Sequence, residues 1–191
     1  VNQLGFQGIP ASRVGRDGLG DELIDFLESQ GLTTELIQRD DRHPTGTVTV
    51  ELDAGGLPSY VIHTGVAWDH LEAAGALLDA ASKAPAICFG TLGQRSAKGR
   101  EVIRKTISRA QENCLIVFDV NLRQQFYFRE VIEDSLRLAR LVKLNDNEVA
   151  VIASLLETST TADDLVGFGR AIIDRFGPRM VCITRGAEGA S

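Results

Sequence analysis

Short apolar runs recur along the chain from residue 86 onward, and amphipathic stretches separate them. Each run is rich in Val, Ile, Leu and Phe without polar alternation, which is typical of strands buried on both faces. The runs are 86–90, 115–121, 141–145 and 180–184. The stretches between them predict helices over 97–112, 129–140, 148–156 and 162–176. Strand–helix–strand repetition of this kind predicts a parallel sheet with right-handed crossovers.

The first 65 residues follow a different pattern. Residues 9–14 predict a strand, and Asp17 is predicted to cap a helix that runs to about Gln30. In 47–52 apolar and polar residues alternate with a period of two, and a glycine- and proline-rich turn leads to a second short run at 59–63. This predicts an antiparallel hairpin, interpreted either as a small β lid or as an antiparallel edge of the main sheet.

Together these patterns predict the α/β class, with a doubly wound, mostly parallel sheet and a small antiparallel β lid. We expect one incomplete α/β domain over residues 1–191, with the lid inserted at about 35–65. The sequence opens at Val1 with what resembles the last turn of a helix, and it stops soon after a predicted strand. We therefore expect a fragment that lacks both ends of its protein.

The composition is that of an ordinary globular protein, and it excludes some classes. Apolar residues make up 43% and charged residues 24% of the 191 residues. No apolar run approaches the roughly 18 residues that span a bilayer, so no membrane partner is expected. The net charge of −6 and the pI near 5.1 argue against nucleic acid as a partner.

The cysteines and histidines carry little chemistry in this sequence. Three cysteines, an odd number, argue against a disulfide framework and favour a reducing, cytoplasmic location. Cys88 and Cys182 lie within apolar runs and are predicted to be buried. The cysteines and the three histidines lack the spacing of metal ligands, and each histidine is interpreted as incidental rather than catalytic.

Polar residues and glycines gather where the predicted strands end. In open parallel sheets, ligands bind beyond the carboxyl ends of the strands. The candidates, in chain order, are Gln94, Arg95, Asp119, Asn121, Arg123, Lys143, Asn145, Glu148, Thr184, Arg185, Gly186 and Gly189. This set of residue types suits phosphate, metal and hydroxyl groups, so the edge is predicted to bind a phosphorylated ligand.

Each candidate role has a structural alternative. Asn145 or a neighbour can simply cap the next helix, whereas Glu148 can hold magnesium through the water shell of the ion. Arg123 offers a planar fork that matches phosphate oxygens, or it forms a surface ion pair. The glycine-rich turn after residue 184 lets backbone N–H groups approach phosphate, although such turns are common.

A dinucleotide fingerprint is not present near the N-terminus. Gly15, Gly18 and Gly20 are spaced G-x-x-G-x-G rather than G-x-G-x-x-G. This spacing argues against a nucleotide-binding oxidoreductase, which remains a minor alternative.

The motifs, taken in order, resemble the ribokinase-like (PfkB-type) carbohydrate kinases. The segment VGRDGLGDELIDFLESQGL resembles the N-terminal segment of the family, and PTGTVTVELDAGGLPSY resembles its lid strands. The segments CFGTLGQRS and FDVNLR resemble the fructokinase branch. KLNDNE matches the N-x-x-E pattern through Asn145 and Glu148, and ITRGAEGA resembles T-x-G-x-x-G through Thr184, Gly186 and Gly189.

The resemblance implies transfer of the ATP γ-phosphoryl group to a sugar hydroxyl with Mg²⁺, fructose being the favoured acceptor. Asn145 and Glu148 would help to place the metal and the phosphates, and Arg123 would lie near the substrate or the transferred phosphate. The implied nucleotide contacts are Lys143, Asn145, Thr184, Arg185, Gly186 and Gly189. The implied sugar contacts are Gln94, Arg95, Asp119 and Asn121. A homodimer through the lid is a further expectation.

Two family segments are missing from this sequence. The glycine pair and asparagine that bind sugar would precede Val1, and the G-x-G-D segment with the catalytic aspartate would follow Ser191. No catalytic base is therefore assigned within the chain, and the chain as given is expected to be inactive. A sugar- or nucleotide-sensing protein that keeps the kinase fold is the main alternative.

Overall fold

A computed structural model describes residues 2–52, 55–56, 58–158 and 164–191. The chain divides into two compact units, Val1–Leu77 and Leu78–Ser191. The strands are β1 (Ser12–Gly15), β2 (Ile37–Asp40), β3 (Val48–Leu52), β4 (Pro58–Ile62), β5 (Ala86–Gly90), β6 (Leu115–Asp119), β7 (Leu141–Asn145) and β8 (Met180–Thr184). The α-helices are α1 (Gly18–Ser29), α2 (Gly75–Ala81), α3 (Ala97–Ser108), α4 (Arg129–Leu138), α5 (Asp146–Leu156) and α6 (Leu165–Phe176).

The second unit is built on a four-stranded parallel sheet in the order β5-β6-β7-β8. Alternate residues of the strands, such as Phe89, Phe118 and Val142, lie side by side in register. They pack against apolar side chains of α4, α5 and α6, and this layer is the core of the unit. The α/β class with a mostly parallel sheet is confirmed.

The first unit contains two small sheets, β1 with β2 in parallel and β3 with β4 antiparallel. The predicted hairpin thus forms a sheet of its own among the strands that the structure describes, so the alternative of an edge of the main sheet is wrong. Both hairpin strands are largely exposed. The predicted lid range 35–65 also includes β2, which pairs with β1, and residues 53, 54 and 57 of the predicted turn lie outside the described residues.

In the first unit, hydrogen bonds connect Thr45 to the start of α1. Asp17 caps the helix as predicted, its Oδ1 accepting from the backbone N of Gly20 at 2.9 Å. The same carboxylate accepts from the backbone N and the hydroxyl of Thr45, and these bonds lower the pKa of Asp17. Gly20 is required here because an added Cβ would lie 2.3 Å from the Gly15 carbonyl oxygen. Gly20 therefore serves close packing.

A second polar cluster surrounds Asp40, which is 2% exposed. Its carboxylate lies 2.7 Å from Arg13 Nε and accepts from the backbone N of Arg42 and of His43. Burial alone would raise the pKa of Asp40. The backbone hydrogen bonds from Arg42 and His43, the hydrogen bond from the His43 ring and the positive charge of Arg13 outweigh this effect, so the pKa of Asp40 lies below its usual range. The His43 ring stacks on that of His70 with 3.5 Å between centroids.

Several element boundaries differ from those predicted. Strand β2 was not predicted because its sequence, IQRD, contains two charged residues, and burial of Asp40 is tolerable only through its contacts with Arg13, Arg42 and His43. The helix predicted over 97–112 ends at Ser108, and the strand predicted over 115–121 ends at Asp119. The first strand lies at 12–15 instead of 9–14. The predicted start of the last helix falls at residue 162, outside the described residues.

The cysteines differ partly from expectation. All three are free, and Cys114 is buried, but Cys88 is exposed and Cys182 is half-buried. The prediction that Cys88 is buried is wrong because it lies on the face of β5 opposite the core layer, while its neighbour Phe89 faces the helices. Within the described ranges, no helix combines the length and the apolar composition needed to cross a bilayer.

Candidate functional site

The carboxyl ends of the four parallel strands place most of the predicted residues along one edge of the second unit. In the register of the sheet, Asp119 of β6 pairs with Lys143 of β7. Asn145 at the end of β7 pairs with Thr184 at the end of β8. The four strands point in one direction, so the segments that follow them all begin at the same edge.

Asp119 and Lys143 form an ion pair at this edge. Lys143 Nζ lies 3.2 Å from Asp119 Oδ1, and both side chains are more than one-third exposed. A pair this exposed contributes little stability, so a phosphate group can compete for the lysine. Partial burial, and after it the negative charge of Asp119, raises the pKa of the nearby Cys88 thiol. This keeps the thiol protonated and unreactive at neutral pH.

Asn145 and Glu148 form a complete capping box at the start of α5. Asn145 Oδ1 accepts from the Glu148 backbone N at 3.0 Å, and Glu148 Oε2 accepts from the Asn145 backbone N at 2.8 Å. The other carboxylate oxygen of Glu148 accepts from the backbone N of Leu122 at 2.7 Å. Glu148 is only 6% exposed. The helix-cap interpretation is therefore correct, and Glu148 additionally connects the ends of β6 and β7.

The side-chain oxygens of Asn145 and Glu148 are also candidate ligands for magnesium. Each Glu148 oxygen and Asn145 Oδ1 accepts one backbone hydrogen bond, which leaves further lone pairs on each oxygen. Among the described residues no cluster of three or more His, Cys, Asp or Glu side chains could hold a metal. Magnesium usually binds through one or two carboxylates, with water and substrate phosphates completing its shell. The residues present fit such an ion, but not a metal caged by protein alone.

Arg123 lies on an exposed turn after β6. Its Nη1 donates to the Leu122 carbonyl at 3.0 Å, and within the described part of the chain no ion pair involves it. The alternative of a surface ion pair is thus not realised. Asn121, two residues earlier, is exposed and has a φ of 41°, in the left-handed region.

Gln94 and Arg95 lie in a 3₁₀ turn after β5 and make internal contacts. Gln94 is 4% exposed, and its Nε2 donates to the Gly90 carbonyl at 3.0 Å and to Ser135 Oγ at 2.8 Å. The Arg95 guanidinium lies 4.8 Å from the centroid of the Phe126 ring. Both side chains therefore connect the turn to neighbouring segments, and their role in sugar binding stays a prediction.

The glycine-rich turn after β8 curls back on the strand. Arg185 N donates to the Gly189 carbonyl at 2.8 Å, and Arg185 Nη1 lies 3.5 Å from Glu188 Oε2. Gly186 and Gly189 have φ values of 56° and 88°, and an added Cβ at either would meet no atom within 4 Å. Backbone conformation rather than crowding therefore requires glycine here, and the space beside the turn is open.

Thr91, directly after β5, was not predicted as a site residue. This residue is 1% exposed, and its Oγ1 donates to the Val120 carbonyl at 2.7 Å, in the segment after β6. A usable signal existed, since a hydroxyl that directly follows a buried strand needs a partner near the strand ends.

The family model described as pfkB family carbohydrate kinase matches residues 1–191. The fold is that of an α/β protein with a mostly parallel sheet. The chain belongs to the pfkB family of carbohydrate kinases, which confirms the resemblance drawn from the motifs.

Individual relatives agree with this assignment. A curated protein of Pyrococcus horikoshii named "Putative sugar kinase PH1459" is 32% identical over 155 residues, covering 78% of this chain and 50% of the relative. Its crystal structure matches with a TM-score of 0.76 at 26% identity, over 98% of this chain and 61% of that one. A PfkB protein from Polaromonas sp. JS666 gives a TM-score of 0.83 at 24% identity, with coverages of 98% and 64%, a likeness in fold alone. The chain spans about half the length of the curated relative.

Proposed function

We propose that this chain is part of an ATP-dependent sugar kinase that transfers the γ-phosphoryl group of ATP to a sugar hydroxyl. The arrangement that carries the proposal is the common edge of β5 to β8. Lys143 and Asn145 lie in the last part of β7, and Arg123, Glu148 and the turn after Thr184 follow parallel strands. Family membership supports the reaction type.

In this proposal the protein mainly positions groups and stabilises charge, as is usual in phosphoryl transfer. Arg123 is exposed and has no carboxylate partner among the residues that the structure describes, so its fork is available for phosphate oxygens. Lys143 supplies a second positive charge once phosphate displaces Asp119. Asn121 and Asp119 offer polar groups to the sugar hydroxyls. We assign no catalytic base to the chain.

The nucleotide would lie beside the open turn that contains Gly186 and Gly189, with Thr184 and Arg185 at its side. A crystal structure of the P. horikoshii sugar kinase, 27% identical to this chain, contains ATP, which supports ATP as the donor. Bound Mg²⁺ would neutralise phosphate charge near Asn145 and Glu148. The cytoplasm, where ATP is abundant, stays the predicted location.

A fructose-type acceptor is the finer part of the proposal. It depends on the segments GTLGQR and FDVNLR, which lie after β5 and at the end of β6. A fructokinase from Vibrio cholerae O395 matches with a TM-score of 0.82, but at 23% identity this likeness concerns the fold alone. Acceptor choice must therefore be measured.

The test is to measure ATP-dependent phosphorylation of a panel of hexoses, pentoses, ketodeoxygluconate and nucleosides by the protein that contains this chain. Arg123→Ala should lower kcat/KM for the accepted sugar about 100-fold, since it removes a donor to developing charge. The matched control is Arg179→Ala at the opposite end of β8, which should change kcat/KM less than about twofold. Absence of turnover with every acceptor, or equal losses in the two variants, would refute the proposal.

We also propose that the hairpin β3–β4 mediates a homodimer. Its register places Val48, Val50, Leu52, Tyr60 and Ile62 on one face. An exposed apolar face on an isolated hairpin is typical of an interaction surface. Val50→Lys should convert the dimer to monomer in sedimentation velocity, whereas Ser59→Lys on the other face should not. A monomeric wild-type protein would exclude this interface.

A further inference from the structure

The turn that directly follows β6 contains two non-glycine residues with a positive φ. Asn121 has a φ of 41° and Gln124 a φ of 48°, both in the left-handed region. Asn adopts this region more readily than other non-glycine residues, whereas Gln does so rarely, and backbone strain of this kind is concentrated at functional sites. The turn also carries Arg123, so its shape decides where two proposed ligand contacts lie.

Hydrogen bonds fix the peptide groups on both sides of Asn121. On the N-terminal side, Thr91 Oγ1 donates to the Val120 carbonyl at 2.7 Å and lies 3.3 Å from the Asn121 carbonyl oxygen. On the C-terminal side, the Leu122 backbone N donates to Glu148 Oε1 at 2.7 Å. The Val120 backbone N donates to the Lys143 carbonyl at 2.9 Å.

The two side chains come from elements on either side of β6. Thr91 follows β5, and Glu148 lies in the first turn of α5, directly after β7. Both are almost completely buried, so water does not compete for these hydrogen bonds. A valine would fill the space of Thr91 equally well, so the hydroxyl is there for the bonds it donates.

We propose that Thr91 and Glu148 are positioning residues, which hold the Asn121 turn in its left-handed shape and thereby place Asn121 and Arg123 for the acceptor and the transferred phosphate. The catalytic part of this inference rests on the proposed kinase function. The structural part is independent of the kinase function, because it concerns only the backbone of residues 120–122.

The test uses Thr91→Val, which removes the hydroxyl at constant volume, with Thr91→Ser as its matched control. Loss of one buried hydrogen bond should accelerate hydrogen exchange of the Leu122 amide about tenfold. It should also lower kcat/KM for the sugar about tenfold, while the Kd of a non-hydrolysable ATP analogue changes less than about twofold. Thr91→Ser should restore both values to near those of the wild type.

Glu148→Gln provides a second arm if Thr91→Val does not fold. The side-chain amide of this variant has one acceptor oxygen where the carboxylate has two. The backbone N–H of either Leu122 or Asn145 therefore loses its acceptor and should exchange faster. Unchanged exchange and unchanged sugar kinetics in the folded variants would overturn the inference. If the wild type phosphorylates no acceptor but hydrogen exchange of the Leu122 amide is still faster in Thr91→Val, the kinase proposal fails. The inference that Thr91 and Glu148 hold the Asn121 turn in its shape is then still supported.

Discussion

The two units of the chain are stabilised in different ways. In the second unit, apolar side chains of β5 to β8 and of α4 to α6 form one contiguous core. In the first unit, the buried residues include Asp40, Thr45 and Asp69, and each makes hydrogen bonds to backbone or side-chain groups. Both units bury some polar and some apolar residues, but the four-stranded sheet covered by helices supplies the larger apolar core. The two-stranded sheets bury fewer apolar side chains together with two carboxylates, Asp40 and Asp69, that need hydrogen-bond partners.

This difference predicts that substitution of a buried residue changes the stability of the two units in different ways. An apolar core should be sensitive to lost volume and largely insensitive to pH. A polar network should be sensitive to the loss of a single acceptor and to protonation.

The largest effect is expected for Phe118→Ala in the core of the second unit. Phe118 is 0% exposed, so truncation leaves a cavity and should lower the free energy of unfolding by about 3 to 5 kcal/mol. The matched control is Phe26→Ala on α1, where Phe26 is 58% exposed and the loss should stay within about 0.5 kcal/mol. Urea denaturation followed by circular dichroism measures both. Similar losses would mean that the core assignment is wrong.

An intermediate effect is expected for Asp40→Asn in the first unit. At pH 7 it should destabilise by about 2 to 4 kcal/mol, because the buried carboxylate beside Arg13 Nε is lost and only the exposed Glu72, 3.0 Å from Arg13 Nη1, remains as a charged partner. The exposed Asp41, paired with Arg16, provides the control Asp41→Asn, which should lose less than about 1 kcal/mol.

The pH dependence of Asp40→Asn sharpens this prediction. Since the folded-state pKa of Asp40 is lowered, its ionised carboxylate contributes stability above the unfolded-state pKa of about 4. That contribution falls as the pH decreases further, so the wild type and Asp40→Asn should converge between about pH 4 and pH 2. A difference that stays constant over this range would contradict the role given to the carboxylate.

The smallest effect is expected for Thr45→Val. The Thr45 hydroxyl accepts from the Gly15 backbone N at 2.9 Å and donates to Asp17 Oδ1 at 2.6 Å. Its removal leaves a buried N–H group without an acceptor, which should cost about 1 to 2 kcal/mol in thermal or chemical unfolding. Thr45→Ser keeps both bonds and should recover most of that loss. Equal stability of the valine variant and the wild type would exclude the network as a stabilising element.

The same contrast explains how much of the fold the sequence predicted. Strands β5, β7 and β8 were predicted with correct bounds from their apolar composition. The expectation that they are buried on both faces is wrong, because the residues that alternate with the buried ones are exposed or only partly buried. Strand β2 was missed because its burial depends on a partner, Arg13, in a different segment. The short α2 and the 3₁₀ turn Ala67–His70 were also missed, since neither shows a clear apolar period.

For the site, local motifs were predictable and long-range contacts were not. The capping box between Asn145 and Glu148 follows from a spacing of three residues. The bond from Leu122 to Glu148 joins residues 26 positions apart, and no local pattern encodes it. The same holds for the amide of Gln94, whose partner Ser135 lies on α4. The roles of the strand-end residues in ligand binding stay predictions until they are measured.

The sequential strand order of the second unit has a consequence for how this unit assembles. Among the strands that the structure describes in this sheet, each strand after β5 pairs with the one that precedes it along the chain. Each pairing closes only the loop between consecutive strands, so the entropy of chain closure stays small at every step. During synthesis on the ribosome, the sheet can therefore grow one strand at a time in the order in which its strands emerge.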